Sequence, residues 1–376
     1  ILVAGGSIAG LAFATEASAG GAKVIVAEEH QQIGEPEKCD GLVSLRGLRS
    51  YGYLPAREVV QNDIVSAVVH SPGDRHFAVN ASTLEVVVLH RSAYDRQVAS
   101  MAQSKGAKIL TSSRVSEVDQ TPGGVTAKVG GEKVSSKLFV DATGPSSSPR
   151  RGILPAAKYE VQADWVKQAV VEVFLDAEKY PGFFAWVIPY GRHLAKVGAA
   201  GVGMNPFSAL DAFLSDRPCT ILRKVSAPIY IGGPAKKFVH GRKLLVGESA
   251  GQVKPTTAGG IMTSIGGAVC AAKWAKKALA KDDPGLLDGY QPEWESRFAK
   301  EMNSMLRLRG VFEKMSNPDL EALVKALATP KLILKLSQSD FDFHATALLG
   351  ALGVPGLLRV AKVVASAEIR SLLAQD

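Results

Sequence analysis

The residues best placed for chemistry lie at the start of the chain, in "ILVAGGSIAGLAFATEASAGGAKVIVAEE" (residues 1–29), where Gly5, Ser7 and Gly10 have the spacing of a dinucleotide-binding turn. Glu28 follows about twenty residues on. An apolar run, a glycine-rich turn, a small-residue helix and a second apolar run describe one β-α-β unit. The helix N-terminus then faces the turn with free N–H groups and the positive end of its dipole, a ready anion site for a pyrophosphate. Gly5 permits the tight turn, Gly10 lets the helix pack close to the strand, and Glu28 can accept from ribose hydroxyls. Ser7 replaces the middle glycine and puts a Cβ where backbone approaches phosphate. A glycine turn in some other α/β protein is the ordinary alternative.

Two later stretches repeat the pattern of a strand running into a small-residue turn: "KLFVDATGPSS" (137–147) and "RKLLVGESAGQVKPTTAGGI" (242–261). A dinucleotide spanning a long cleft needs both ends held, and these stretches favour FAD over NAD. An acid at the late turn would hold the ribityl chain, and the next helix N-terminus would stabilise negative charge at the flavin pyrimidine edge. A third stretch, "YPGFFAWVIPYG" (180–191), carries aromatics at strand alternation. Phe184, Trp186 and Ile188 should share one face, and Phe183, Ala185 and Val187 the other. One face would line a substrate tunnel and the other would pack under a helix; core packing alone is the plain alternative.

The elements that must position these residues fit a chain of 376 residues, long enough for two regions around a substantial core. We expect an α/β fold: a Rossmann-like FAD-binding domain from residues 1–150 plus 241–284, a mixed β-sheet substrate domain at 151–240, and a helical C-terminal region at 285–376. The formal charge of +8 suits an anionic partner, but no Lys/Arg block is interleaved with aromatics, so nucleic acid is not expected. Cys39, Cys219 and Cys270 are scattered without a CxxC pair, which argues against a disulfide framework or zinc site and fits a reducing cytoplasm. No charged leader precedes the first apolar run, and because the chain opens at Ile1 rather than Met, further N-terminal residues are expected. No run reaches the length of a spanning helix. The apolar "ATALLGALGVPGLL" (345–358) reads as a buried helix pair or as a peripheral membrane contact. His344, alone on an apolar stretch, reads as a core residue.

Taken in order, these motifs resemble the FAD-dependent group that includes the aromatic hydroxylases and, more closely, the geranylgeranyl reductases of archaeal lipid synthesis. The resemblance spans nearly all of residues 1–270. It implies cofactor contacts from Gly5, Ser7, Ile8, Ala9 and Gly10, from Glu28 and Glu29, and from Arg91, Val115, Gly144, Glu248, Gly259, Gly260 and Ile261. Arg91 would meet the pyrophosphate or adenine end, with a salt bridge to Asp95 as its plainer use. Val115 would present backbone to the adenine. Glu248 stands where that family usually has Asp. The loop "EPEKCDGLVS" (35–44) resembles the family's cysteine loop, which implies that Cys39, Asp40 and Leu42 lie by the flavin and makes Cys39 the candidate catalytic residue.

The aromatic stretch resembles the reductases' P-x-x-Y-x-W-x-F-P motif, with Phe184, Trp186, Ile188 and Pro189 as implied substrate contacts. Implied with it is the hydrogenation of double bonds in polyprenyl lipid chains, with no metal. No second glycine fingerprint supports a resident NAD(P)H, so electrons would come from an external donor: NAD(P)H, a deazaflavin or ferredoxin. F-x-W-x-I-P is also similar to a halogenase motif, which keeps an FAD-dependent monooxygenase or halogenase as the alternative.

Overall fold

The computed structural model describes residues 1–73, 75–146 and 152–346. Its nucleotide half is a six-stranded sheet in the order Val239–His240, Lys243–Leu245, Phe139–Asp141, Leu2–Ala4, Ile25–Ala27, Lys108–Leu110. All neighbours are parallel except the first pair. Side chains alternate between two buried layers, as a parallel sheet covered on both faces requires. Val3, Val26, Val140 and Leu244 meet the helices Ile8–Ala19, Arg91–Ser104 and Ile261–Lys281. Leu2, Ala4, Ala27 and Phe139 meet an antiparallel meander, Val115–Thr121, Gly124–Val129 and Glu132–Ser136.

The helix Ile8–Ala19 is buried nearly all round, and its alanines and glycine allow the long helix Ile261–Lys281 to lie directly on it. Gly247 shows how close this packing is. It has φ +70°, and a Cβ there would lie 2.5 Å from the Ala9 Cβ. The helix starts expected at the two glycine-rich stretches are therefore neighbours in space.

The second half is a seven-stranded mixed sheet in the order Thr220–Ser226, Ala156–Gln162, Leu194–Ala200, Ala185–Gly191, Val170–Phe174, Ser66–His70, His76–Asn80. Its last two strands come from within residues 1–150, because Val170–Phe174 pairs parallel with Ser66–His70. One face packs under the helix Pro206–Leu214 through Ala157, Tyr159, Val161, Ala185, Val187, Ala195 and Val197. Alternation puts Lys158, Lys196, Trp186 and Ile188 on the opposite face, toward the cysteine loop. Beyond the sheets lie the helices Tyr290–Phe312, Asn317–Leu327 and Pro330–Ser337. No helix among the described residues is long and apolar enough to cross a membrane. Nearly all of the stretch 345–358 lies outside the described residues.

Candidate active site

At the glycine turn the backbone is fixed by contacts that only glycine allows. Gly5 has φ +101° and its missing Cβ would sit 2.3 Å from the Ala142 carbonyl oxygen; that of Gly10 would sit 2.1 Å from the Gly5 carbonyl oxygen. The Gly6 N–H donates to Glu28 Oε2 at 2.7 Å, so the acid at the end of the second strand is tied to the turn itself. Glu28 also accepts from the His30 N–H at 3.0 Å, and its carbonyl accepts from Ser113 N–H at 2.7 Å. That last bond brings the segment leading to Val115 alongside Glu28, while Glu29 forms only a loose exposed pair with Arg114 at 3.7 Å.

Ser7 occupies the N-cap position of Ile8–Ala19 without capping it, because its hydroxyl donates to Asp95 Oδ2 at 3.1 Å. Asp95 Oδ1 in turn accepts from Arg91 at 2.8 Å. The Arg91–Asp95 salt bridge suggested by the sequence is thus present. Arg91 is nonetheless buried and its Nε has no hydrogen-bond partner within the protein. Burial alone would lower the Arg91 pKa, but the Asp95 carboxylate and then the Cys39 sulfur raise it above its ordinary value.

The other end of the cleft forms where two strands finish side by side. Gly144 (φ +81°) donates its N–H to Ser249 Oγ at 3.0 Å, and that hydroxyl also bonds Asp141 Oδ1 and the Gly144 carbonyl, each at 3.1 Å. Glu248 lies against Gly144. Burial pushes the Glu248 carboxyl up to about 7, outweighing a Tyr230 backbone N–H and the Lys38 charge. The helix Ile261–Lys281 starts at Gly260 without a side-chain cap, and its Ser264 flanks Gly247 opposite Ala9. The loop before it is fixed from the C-terminal region. The Gly259 carbonyl accepts from Lys254 N–H at 3.0 Å, Lys254 Nζ pairs with buried Asp342 at 3.0 Å, and Thr256 bonds His344 at 2.7 Å.

These features fit FAD. Two long helices begin at adjacent points with no side-chain cap, a glycine cradle lies between them, a carboxylate ends the second strand, and a buried guanidinium has an unused N–H.

Between the nucleotide turn and the substrate sheet stands the cysteine loop. Cys39 is exposed, and its Sγ accepts from Gly41 N–H at 3.4 Å. Leu42 heads the strand Leu42–Ser44, which pairs with Val86–Leu89. Two fully buried lysines of the substrate sheet hold the loop from beneath. Lys196 Nζ donates to Glu37 Oε1 and to the Asp40 carbonyl, both at 3.0 Å. Lys158 Nζ donates to the Cys39 carbonyl at 3.0 Å and lies 3.6 Å from Asp40 Oδ1. Glu37 Oε2 meanwhile accepts from Ser92 N–H at 3.1 Å, at the start of the helix that carries Arg91. Burial would raise the Glu37 carboxyl, but Lys196, the Ser92 N–H and Lys158 together hold it down at about 2.

Trp186 joins the aromatic stretch to this loop, its indole N–H donating to Asp40 Oδ2 at 2.8 Å. The ring packs against Gly198, where a Cβ would come within 2.2 Å of it. Phe184 crosses Trp186 edge-on at 6.0 Å and stacks on Phe183 at 4.1 Å. The strand begins at Ala185, after the turn at Gly182 (φ +66°), so strict alternation does not reach Phe183 or Phe184. Ile188 is buried among Ile64, Val86, Val88 and Val171, and the Pro189 carbonyl accepts from Asn62 at 2.9 Å.

Sequence reading missed Lys158, Lys196, Glu37 and Ser249, and it named Asp95 only as a salt-bridge partner of Arg91. The signal for the lysines was there in "AAKYEVQ" and "LAKVGAA", each with a single cation among buried apolar neighbours of a strand. A lysine so placed needs a buried partner.

The comparisons with known proteins agree with this geometry. A model of the FAD dependent oxidoreductase family matches residues 1–169. Digeranylgeranylglycerophospholipid reductase 2 of Methanopyrus kandleri is 29% identical, covering 96% of this chain and 98% of its own. The digeranylgeranylglycerophospholipid reductase of Methanocaldococcus jannaschii is 27% identical, covering 86% and 88%. Among solved structures, a geranylgeranyl bacteriochlorophyll reductase-like protein of Thermoplasma acidophilum superposes with a TM-score of 0.87 over 98% of both chains at 22% identity. The halogenase PltM, solved with phloroglucinol and FAD, superposes with a TM-score of 0.68 over 94% of this chain and 86% of its own at 15% identity. Both likenesses concern the fold.

Proposed function

From the premise that this chain is an FAD-dependent oxidoreductase related over most of its length to the digeranylgeranylglycerophospholipid reductases, we propose that it hydrogenates isolated double bonds in the geranylgeranyl chains of an archaeal-type ether lipid or its precursor. FAD, when bound and reduced by an external donor, would supply hydride for one alkene carbon. The chain's own residues have the remaining tasks, namely holding the cofactor, aligning the alkene and bringing a proton to the neighbouring carbon.

The cofactor would be held by the Gly5–Gly10 turn and the N-terminus of Ile8–Ala19 at the pyrophosphate, with Glu28 at the adenosine ribose. Arg91 would use its unpartnered Nε nearby. Glu248 and the N-terminus of Ile261–Lys281 would hold the flavin end. Phe184 and Trp186 present half-buried aromatic surface suited to a polyprenyl chain, and each methylene they cover is worth about 0.8 kcal/mol. Cys39 would bear the proton, with its Sγ set by Gly41 and Arg91. A lipid substrate with its head at a bilayer surface calls for peripheral membrane contact, and the net charge of +8 favours an anionic one.

The observation that supports this reading is the Trp186–Asp40 hydrogen bond, which ties the aromatic stretch to the residue next to Cys39. The test is an anaerobic incubation of dithionite-reduced protein with geranylgeranyl lipid, with product mass as the readout. Gains in steps of two hydrogens are expected. A reduced protein that leaves the lipid unchanged but reacts rapidly with oxygen to give a hydroperoxide spectrum would overturn it in favour of hydroxylation or halogenation.

A further inference from the structure

Lys158 is a costly residue to keep. Its side chain is 1% exposed, flanked on its strand by the buried Ala157 and Tyr159, while the strand's carboxylate, Glu160, is taken up by Arg223 at 3.7 Å, and burying an ammonium is unfavourable unless its partners repay desolvation. Its partners are all in one place. Nζ donates to the Cys39 carbonyl at 3.0 Å and stands 3.6 Å from Asp40 Oδ1, a buried oxygen with no hydrogen-bond partner within the protein. The other oxygen of that carboxylate takes the Trp186 indole N–H. Gly198 pairs in register with both Lys158 and Trp186, and its lack of a side chain leaves room for the indole between the two strands' reach. Lys196 already anchors the loop through Glu37 and the Asp40 carbonyl, so Lys158 is not needed merely to attach it.

We propose that Lys158 and Asp40 form a positioning couple for Cys39, through which the Trp186 indole is linked to the thiol. This rests on the reading that Cys39 takes part in alkene reduction. Lys158 fixes the peptide carbonyl of Cys39 and so the direction of its Cα–Cβ bond. Asp40 divides its two oxygens between the ammonium and the indole, so a lipid chain that moves Trp186 changes the couple and with it the aim of the Sγ.

The experiment measures alkylation of Cys39 by iodoacetamide in FAD-loaded protein, read on the Cys39 peptide by mass, with and without geranylgeranyl lipid. The wild type, Lys158→Met and Lys158→Gln are compared. Lipid should change the wild-type rate. Lys158→Met should shift the lipid-free rate by about tenfold, abolish the lipid response, and lower kcat roughly ten- to a hundredfold with little change in KM; a displacement of about 1 Å at a reacting group has costs of that order. Lys158→Gln, which keeps a donor for the Cys39 carbonyl, should recover part of each. An alkylation rate within about twofold of wild type in Lys158→Met would overturn the proposal, whatever the change in melting temperature. If Lys158→Met does not fold, Trp186→Phe reads the same link: a retained lipid response in that variant overturns the proposal, and a lost one supports it. Alkylation needs no turnover, so failure of the couple remains distinct from a wild-type protein that does not reduce the lipid at all.

Discussion

The glycine turn and the cysteine loop lie next to each other, yet they are built in opposite ways. The turn is held by backbone contacts that only glycine permits, Gly5 against Ala142 and Gly10 against Gly5, and by an acid a short helix away. The cysteine loop is held by side chains from strands 119 and 156 residues away, two buried ammonium groups on its carbonyls. A nucleotide site can be made from one local motif because it binds an invariant group. The cysteine loop is fixed instead to the seven-stranded sheet, and on the proposed function, in which that sheet lines the lipid site, it would share the geometry of the substrate wall.

The largest expected effect breaks the loop. Lys196→Met leaves the Glu37 carboxylate buried without its ammonium and should cost about 3–5 kcal/mol in urea unfolding. The same pair sets an acid limit. The Glu37 carboxyl is lowered from 4.5 to about 2 in the folded protein, so its contribution is complete above pH 4.5 and is lost as pH falls through that window. Lys196→Met should remove this part of the acid transition.

Next in size is the turn. Gly5→Ala forces a side chain to φ +101° beside the Ala142 carbonyl, a backbone strain of about 1–3 kcal/mol before the clash is counted. The expected outcome is loss of FAD on gel filtration with the seven-stranded sheet intact by circular dichroism.

The two glutamates sharpen the contrast. Burial dominates at Glu248 and raises its carboxyl from 4.5 to about 7, whereas at Glu37 the neighbouring ammonium groups prevail and lower it. A raised folded value stabilises below the unfolded one, so FAD-free protein should lose stability as pH rises from 4.5 toward 7. Glu248→Gln should flatten the melting temperature across that range and leave the acid transition of Glu37 in place. The smallest effect is Trp186→Phe, which keeps the ring and loses one hydrogen bond, at about 1 kcal/mol by thermal melting.

What the sequence revealed follows the same division. The β-α-β unit, the late Gly247-Glu248 turn and the aromatic strand were legible because each is a contiguous pattern whose physics is local. The helix-covered face of Ala185 and Val187 followed from period-two alternation. Phe183 did not, since the turn at Gly182 delays the strand to Ala185. The strands Ser66–His70 and His76–Asn80 join the substrate sheet through a parallel pairing that no spacing encodes. Lys158 and Lys196 were visible only as odd cations in apolar strands, with partners more than a hundred residues away that only the fold brings together.

The most direct test of the central claim, that the substrate sheet aims Cys39 at the reacting alkene, is anaerobic stopped-flow reoxidation of the reduced flavin by geranylgeranyl lipid, comparing the wild type with Cys39→Ser at equal FAD content. Rapid lipid-dependent reoxidation is expected in the wild type, and a rate lower by about two orders of magnitude in the variant, the usual scale for removing a proton-transfer group. Equal rates in the two proteins would contradict the claim.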